Sequence, residues 1–431
     1  MKEQQPMSNA HHDFLTDFAT MSGFGATPGG GVDRQAGTAA DHATRRWFGQ
    51  WLAAHGFTES VDRIGNQFGT VELLPGAPYV LIGSHLDSQP LAGRYDGAYG
   101  VLAAAHAAAQ VLAEVRSGKV APVCNLAVVN WFNEEGSRFT PSMMGSSVFT
   151  GKLPLHAALA TTDPAGITVA QALEMGHGTE RNSAPGLPDV ARYAEIHIEQ
   201  GRILEETGTQ VGIVDRTWAA SKYRVTVSGA QSHTGSTRME DRRDALYGAA
   251  LVISAARDLA AEFEPGLLHT SVSELYVLPN SPVTIARQAT MNLDLRSPDE
   301  AVLERAMDIL KKWTAEAEER SRTEISLELT HNWGLVSYPA EGVAVGLASA
   351  QRLGFTHTEI MTVAGHDSTN MKDIVPTVML FIPSVDGISH NEAEYTRDDD
   401  ALRGVELLTE VVRRLVCAEI AARKSETNAG S

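Results

Sequence analysis

The sequence predicts an α/β fold with a smaller α+β sandwich inserted into it. Three observations predict this. Short apolar runs at 79–82, 125–132 and 377–382 and the alternating run 191–199 read as strands, and each presents His or carboxylate residues within it or soon after it. The Ala- and Leu-rich stretch 101–115 reads as a helix after the first of them, placing His85, Asp87 and Asp96 between a strand end and a helix start, where open α/β sheets bind ligands. Finally, 214–330 runs strand–helix–strand–strand–helix–strand, the order of a small α+β sandwich.

Taken in order, residues 1–12 show no pattern of structure, and a helix is expected over 13–21. Residues 22–37 are Gly-rich, but no strand leads in and no GK[ST] ends them, so they read as a loop rather than a phosphate cradle. Thr38 and Asp41 resemble a capping box opening a helix to about His55, and 61–74 reads as a hairpin turning at Gly65-Asn66. In the inserted part, strands are expected at 222–228, 271–278, 288–296 and 324–329, with helices from about 243 and over 299–320. A helix at 341–353 and a closing helix at 400–422 complete the chain. The expected domains are 1–213 with 331–431, and 214–330.

Composition narrows the function. At 431 residues, two domains are the default. A net charge of −18 argues against a nucleic-acid partner, which needs clustered Lys and Arg. Cys124 and Cys417 are far apart in sequence and make neither a disulfide framework nor a CxxC metal site, which suits a reducing compartment. The N-terminus lacks the apolar core of a signal peptide, and no apolar run approaches the roughly 20 residues of a membrane span. A cytoplasmic protein with no membrane partner is the expectation.

The strand ends hold His85, Asp96, Glu134, Glu135, His197 and His390. Imidazole and carboxylate without thiolate suit Zn²⁺, Mn²⁺, Co²⁺ or Ni²⁺. Six such groups exceed what one tetrahedral ion needs; two ions roughly 3.5–4 Å apart, sharing a carboxylate, would use them. The period-two spacing of His85 and Asp87 places both side chains on one side, where the Asp87 carboxylate would hydrogen-bond the far imidazole nitrogen and fix its tautomer. Glu134 and Glu135 are adjacent, so their side chains diverge, which suits one on metal and the other free as general base. Taken alone, each of these stretches also reads as a solvated strand end; their recurrence decides against that.

The motifs GSHLDS, RYDGAYGVLAA, NEEGSRF, HIEQG, GAQSHTGSTRMEDRRDA, AGHDS and PSVDGISHNEAEYT lie in order from 83 to 396. With them the chain resembles the hydantoinase/carbamoylase branch of the aminoacylase and carboxypeptidase-like metallopeptidase superfamily, which includes N-carbamoyl-L-amino acid hydrolases, β-ureidopropionases and allantoate amidohydrolases. The resemblance implies a zinc-peptidase-like catalytic domain, a mixed sheet flanked by helices, and an inserted dimerisation and lid domain. It implies that His85 and His197 each bind one ion, or one side of the pair, that Asp96 bridges the ions, and that Glu135 and His390 complete the second ion's shell. Glu134 would be the base that takes a proton from the attacking water and returns it to the leaving nitrogen. His233 would reach the partner subunit's site in a homodimer, or else merely cap a turn. Arg296 would grip the substrate carboxylate, or else make a surface ion pair. Gln200 and the Gly365-His366-Asp367 loop match substrate-contacting positions, although His366 also reads as a structural loop histidine.

The chain departs from the family where an Asn stands about 13 residues before the matched Arg: here the residue is Val283, and Asn280 is the nearby substitute. The expected substrate is a small amide or ureido compound with a carboxylate, an N-carbamoyl or N-acyl L-amino acid, or alternatively a ureide such as allantoate or ureidoglycolate. An aminopeptidase or dipeptidase is disfavoured by the branch motifs. A non-catalytic binding protein would lack a ligand or the base, and every one is present.

Overall fold

A computed structural model describes residues 9–177 and 189–418. The chain forms two compact units, one of Met1–Asp215, Tyr338–Ile360 and Gly365–Ser431, the other of Arg216–Ser337 and Met361–Ala364. The second unit therefore runs past the expected boundary at 330. The strand Glu324–Trp333 continues into an isolated bridge between Arg216 and Ser337, and Trp218 and Arg296 bond the carbonyls of Thr362 and Val363.

The first unit is built on an eight-stranded sheet in the order Thr58–Val61, Gln67–Val71, Asn125–Trp131, Tyr79–His85, Val190–Ile198, Thr377–Ile382, Val211–Thr217, His357–Thr362. Asn125–Trp131, Tyr79–His85, Val190–Ile198 and Thr377–Ile382 are mutually parallel, whereas Gln67–Val71 and Val211–Thr217 flank them antiparallel. Asn125–Trp131 and Thr377–Ile382 are buried at every position, as continuous apolar runs in a two-sided parallel sheet should be. The parallel order puts all four strands' carboxyl ends on one edge.

The local readings explain the starts and stops. Thr38 caps the helix Ala39–Ala54, its hydroxyl accepting the Asp41 N–H, while Asp41 reaches back to the Gly37 N–H. The hairpin Thr58–Val61 to Gln67–Val71 turns where the Asp62 carboxylate accepts the N–H groups of Ile64, Gly65 and Asn66. The first helix is Asn9–Ser22, starting earlier than expected; the expectation for residues 1–8 falls outside the described residues. The closing helix is Asp398–Val416, ending where Cys417–Ala418 pairs with Ala121–Pro122; the expected extension over 419–422 also lies outside the described residues.

Contrary to the sequence reading, one helix among the described residues, Ala98–Arg116, is long and apolar enough to cross a membrane. Most of it is buried in the core, where its alanines allow close packing on the sheet and on Asp398–Val416. Gly100 faces the sheet: a Cβ there would lie 2.2 Å from the Ile196 carbonyl oxygen and 3.0 Å from Ser84 Cβ.

The second unit is a four-stranded antiparallel sheet, ordered His269–Leu278, Gln288–Ser297, Ala219–Ser228, Glu324–Trp333. The helices Ala245–Leu259 and Glu300–Ser321 cover one face, and alternate residues such as Val225, Val227, Met291, Leu293 and Leu295 are buried against them. Asp244 and Asp299 cap the two helices with side-chain oxygens.

The contact at Gly100 gives a test. Gly100→Ala must push the helix that follows Asp96 and Gly97 off the sheet, an overpacking cost of roughly 1–3 kcal/mol. We expect a melting temperature lowered by several degrees in a circular dichroism scan; an unchanged melt would show that the helix does not sit this close.

Candidate active site

His85 is the last residue of its strand, and register pairs it with Trp131, while His197 pairs with Phe381 near the end of the neighbouring strand. The four strands thus end nearly level, and the loops that follow converge. His85 Nε2 is 3.6 Å from Asp96 Oδ1 and 3.5 Å from Glu134 Oε2. His197 Nε2 is 3.0 Å from Asp96 Oδ1, and His390 Nε2 is 3.2 Å from Asp96 Oδ2 and 3.4 Å from Glu135 Oε2. Asp96 is therefore common to two groups of ligand atoms, His85–Asp96–His197 and Asp96–Glu135–His390, each with its atoms within 4.8 Å of one another.

Two of the imidazoles are oriented from behind. His85 Nδ1 is 3.0 Å from the Asp87 carbonyl oxygen and His197 Nδ1 is 2.8 Å from the Ile198 carbonyl oxygen. Each bond places the proton on Nδ1 and the lone pair on Nε2, facing the cluster. Gly97 N–H points at that lone pair of His197 at 3.0 Å.

Asp87 does not play the part expected of it. Its Oδ1 is 3.6 Å from His85 Nδ1, too long for a hydrogen bond, and its backbone carbonyl makes the contact instead. The carboxylate is turned to the next strand's loop, where Oδ1 accepts the Glu134 N–H and Oδ2 the Glu135 N–H, both at 3.2 Å. The period-two argument fails because the strand ends at His85, and past it the Asp87 carboxylate is taken up by the Glu134 and Glu135 N–H groups.

Glu134 and Glu135 diverge as expected. Glu134 faces His85 and belongs to neither ligand group, whereas Glu135 faces His390. Gln89 steadies Glu135 through its backbone N–H to Oε1 at 3.2 Å and its amide to Oε2 at 2.9 Å.

Burial opposes ionisation throughout. It raises Glu134 well above the usual carboxylate range, helped by Asp367, Glu135 and Asp87 against the pull of His85. It lifts Glu135 to about 7, with Asp96 adding to it, and Asp87 to about 6. Burial works against charge on His390 too, but Asp96 and Glu135 outweigh it and lift the ring to about 9. Asp96 goes the other way: three histidines overcome burial and hold it well below the usual range. Among the described residues, the ion-pair partners of Asp96, Glu134 and Glu135 are all histidines. A mostly buried cluster with this donor set and an excess of negative groups suits divalent cations.

Gln200 turns its amide inward, giving Nε2–H to Asp96 Oδ2 at 2.7 Å and to Ser389 Oγ at 2.9 Å, while its Oε1 is buried without a partner. His366, after Gly365, is buried with its ring 4.5 Å from that of His197 and its Nε2 unpartnered. Burial and the nearby His197 push its pKa well down, so it is neutral.

His233, Asn280, Val283 and Arg296 belong to the second unit. His233 does cap a turn: Nδ1 accepts the N–H groups of Gly235 and Ser236 at 2.9 and 3.2 Å. That puts the proton on Nε2, and the side chain is exposed. Arg296 does make an ion pair, with Nε and Nη2 on the Asp294 carboxylate and Nη1 on the Val363 carbonyl oxygen. Of its five N–H donors this leaves one on each Nη. Asn280 sits at φ 54, and Val283 is 61% exposed.

Four residues escaped the sequence reading. Ser389 and Glu394 lie inside a quoted motif and Gln89 directly follows one, but none had an assigned part. Arg34, in the Gly-rich segment, is buried with Nε on the Leu86 carbonyl oxygen and its N–H on Ser88 Oγ, tying that loop to the strand end that carries His85. Only the wealth of polar residues in those motifs hinted at them.

The profile of peptidase family M20/M25/M40 matches residues 81–414. A hydrolase of Mycolicibacterium smegmatis is 54% identical over 94% of this chain and 93% of its own. An N-carbamoyl-L-amino-acid amidohydrolase of Rhizobium meliloti is 34% identical (93% and 94%), and an allantoate amidohydrolase of Escherichia coli 31% (92% and 95%). A crystal structure of a hydantoinase/carbamoylase family amidase from Burkholderia vietnamiensis superposes with a TM-score of 0.86 at 32% identity, covering 96% of this chain and 100% of that one. The chain belongs to peptidase family M20/M25/M40, in its hydantoinase/carbamoylase branch.

Proposed function

We propose that the chain hydrolyses a linear C–N bond of an N-carbamoyl-L-amino acid or a related N-acyl amino acid, with two divalent ions and Glu134 as general base. One observation carries the reading. Asp96 is common to both ligand groups, while Glu134 stands beside His85 and belongs to neither. His85 and His197 would hold one ion, Glu135 and His390 the other, and Asp96 both. When bound, such ions supply Lewis acidity and make water more acidic.

The chain's own residues supply the rest. Glu134 takes the proton of the attacking water. Its dry surroundings favour holding that proton until the leaving nitrogen accepts it. His233, with Nε2–H left as its donor by the turn that engages Nδ1, is suited to the carbonyl oxygen as negative charge develops there. We assign it to the site of the partner subunit in a homodimer. Arg296 offers one N–H from each Nη to a substrate carboxylate, held in place by Asp294 and Val363. Carbamoyl amino acids and allantoate, the substrates named for two relatives, both present a ureido group and a carboxylate. Val283 favours a second reading, a ureide substrate, because its exposed isopropyl group cannot hydrogen-bond where the resemblance implies an Asn.

The reading is tested by ammonia release from apo protein given Mn²⁺, Zn²⁺, Co²⁺ or Ni²⁺, across N-carbamoyl amino acids, allantoate, ureidoglycolate, and N-formyl and N-acetyl amino acids, with free amine scored alongside. Ammonia from carbamoyl amino acids supports the first substrate class and ammonia from ureides the second. Amine alone means an acylase, and silence with metal bound overturns all three.

Glu134→Gln should keep its metal, measured by elemental analysis, and lose about 10²–10⁴-fold in kcat. Near-normal turnover would remove Glu134 as the base. Mixing Glu134→Gln and His233→Ala chains should restore about a quarter of wild-type activity: half the dimers are mixed, and one of each mixed dimer's two sites is intact. No recovery after verified subunit exchange would place His233 in its own subunit's site, and a His233→Ala homodimer as active as wild type would place it outside catalysis.

A further inference from the structure

Asp96 is the one ligand common to both groups, yet its loop has few means of its own to hold a fixed carboxylate. It follows a Gly-containing turn and precedes Gly97, which sits at φ 62. What braces it comes from the far end of the chain.

Glu394 is 4% exposed, and a Cβ on Gly93 would lie 2.1 Å from its carboxyl group. Its Oε1 accepts the N–H of Tyr95 at 2.9 Å and the N–H of Asp96 at 3.1 Å. Its Oε2 is 2.9 Å from Ser389 Oγ, and that hydroxyl is 3.1 Å from Asp96 Oδ2. Gln200 Nε2–H meets the same two oxygens, Asp96 Oδ2 and Ser389 Oγ. One carboxyl group thus fixes the backbone at Asp96, and through one hydroxyl it reaches the Asp96 side chain. Glu394 is four residues beyond His390, so the segment that brings the third histidine also brings the brace.

We propose that Glu394, through Ser389, is the positioning residue for the shared ligand Asp96, and that both ion sites depend on it. This rests on the reading of the cluster as a two-ion centre. Glu394 touches neither ion site directly; it acts by holding Asp96. Gln at 394 serves nearly as well: its amide oxygen accepts both N–H groups, and its NH₂ donates to Ser389 Oγ, leaving the hydroxyl proton for Asp96. Ala supplies none of these.

The test is Co²⁺ and Zn²⁺ binding to apo full-length chains by calorimetry, with the Co²⁺ visible spectrum recorded alongside. Wild type should bind two ions; failure to do so sinks the metal reading itself, independently of Glu394. With wild type binding, Glu394→Ala should weaken affinity about 10–100-fold at both sites, the range for removing an outer partner of a metal ligand. It should also change the Co²⁺ spectrum, whereas Glu394→Gln should stay within a few-fold of wild type. Ser389→Ala removes a single hydroxyl and should weaken binding several-fold, so the proposal stays testable if Glu394→Ala does not fold. Glu392→Ala, two residues away on Thr27, should leave affinity unchanged. Wild-type affinity in Glu394→Ala, or in Ser389→Ala where Glu394→Ala does not fold, overturns the proposal. Equal losses in Glu392→Ala and Glu394→Ala do so too, since they would reflect the loop as a whole.

Discussion

One carboxylate facing three imidazoles is the constraint on which the first unit depends. Asp96 meets His85 and His197 through Oδ1 and His390 through Oδ2. No local stretch of chain can bring these four residues together, because they are separated by up to 305 positions, from His85 to His390. The parallel sheet does it. Level strand ends turn sequence-distant residues into neighbours along one edge, and the helix Ala98–Arg116 returns from that edge with Asp96 just before it. Gly97 shows how tight the junction is: a Cβ there would lie 2.2 Å from the His85 ring.

Holding such a cluster works against folding. Burial raises Glu134, Glu135, Asp87 and Glu394, so each carboxylate is a poor fit to its surroundings while no cation is present. The backbone shows the same tension. Asn133, Gln200 and His390, one in each of three strand-end loops, have φ of 53°, 56° and 53°, left-handed values that cost a non-Gly residue roughly 1–3 kcal/mol. Asn133 is held by side-chain bonds to the carbonyls of Phe139 and Pro141, and the Gln200 N–H by Ser384 Oγ. These bends turn Glu134, Gln200 and His390 into the pocket instead of along their strands.

The same bends mark the limit of what was legible in the sequence. Buried strands are continuous apolar runs, so the sheet, its strand-end histidines and the pairing of His with carboxylate could be read directly. The second unit was equally legible, since its strands alternate and its helices carry Asp caps. Partner choice beyond a strand end was not. Asp87 keeps the spacing of a second partner to His85, yet beyond the strand end it meets His85 through its carbonyl and not its carboxylate. Glu394 looked like an ordinary loop acid, because its partners lie 298 and 299 positions away. Residues 361–364 join the second unit through backbone carbonyls, which leave no mark in side-chain patterns.

Charge around Asp294 in the second unit is opposite in sign to that of the whole chain. The chain carries a net −18, yet around Asp294 two cations, Arg296 and Lys222, meet one carboxylate. The local excess is positive. Asp294 takes the side of the guanidinium formed by Nε and Nη2, so the N–H groups left over are those at its far end, one on each Nη. A carboxylate bound there would complete the charge balance and accept both, whereas an uncharged amide offers a single acceptor.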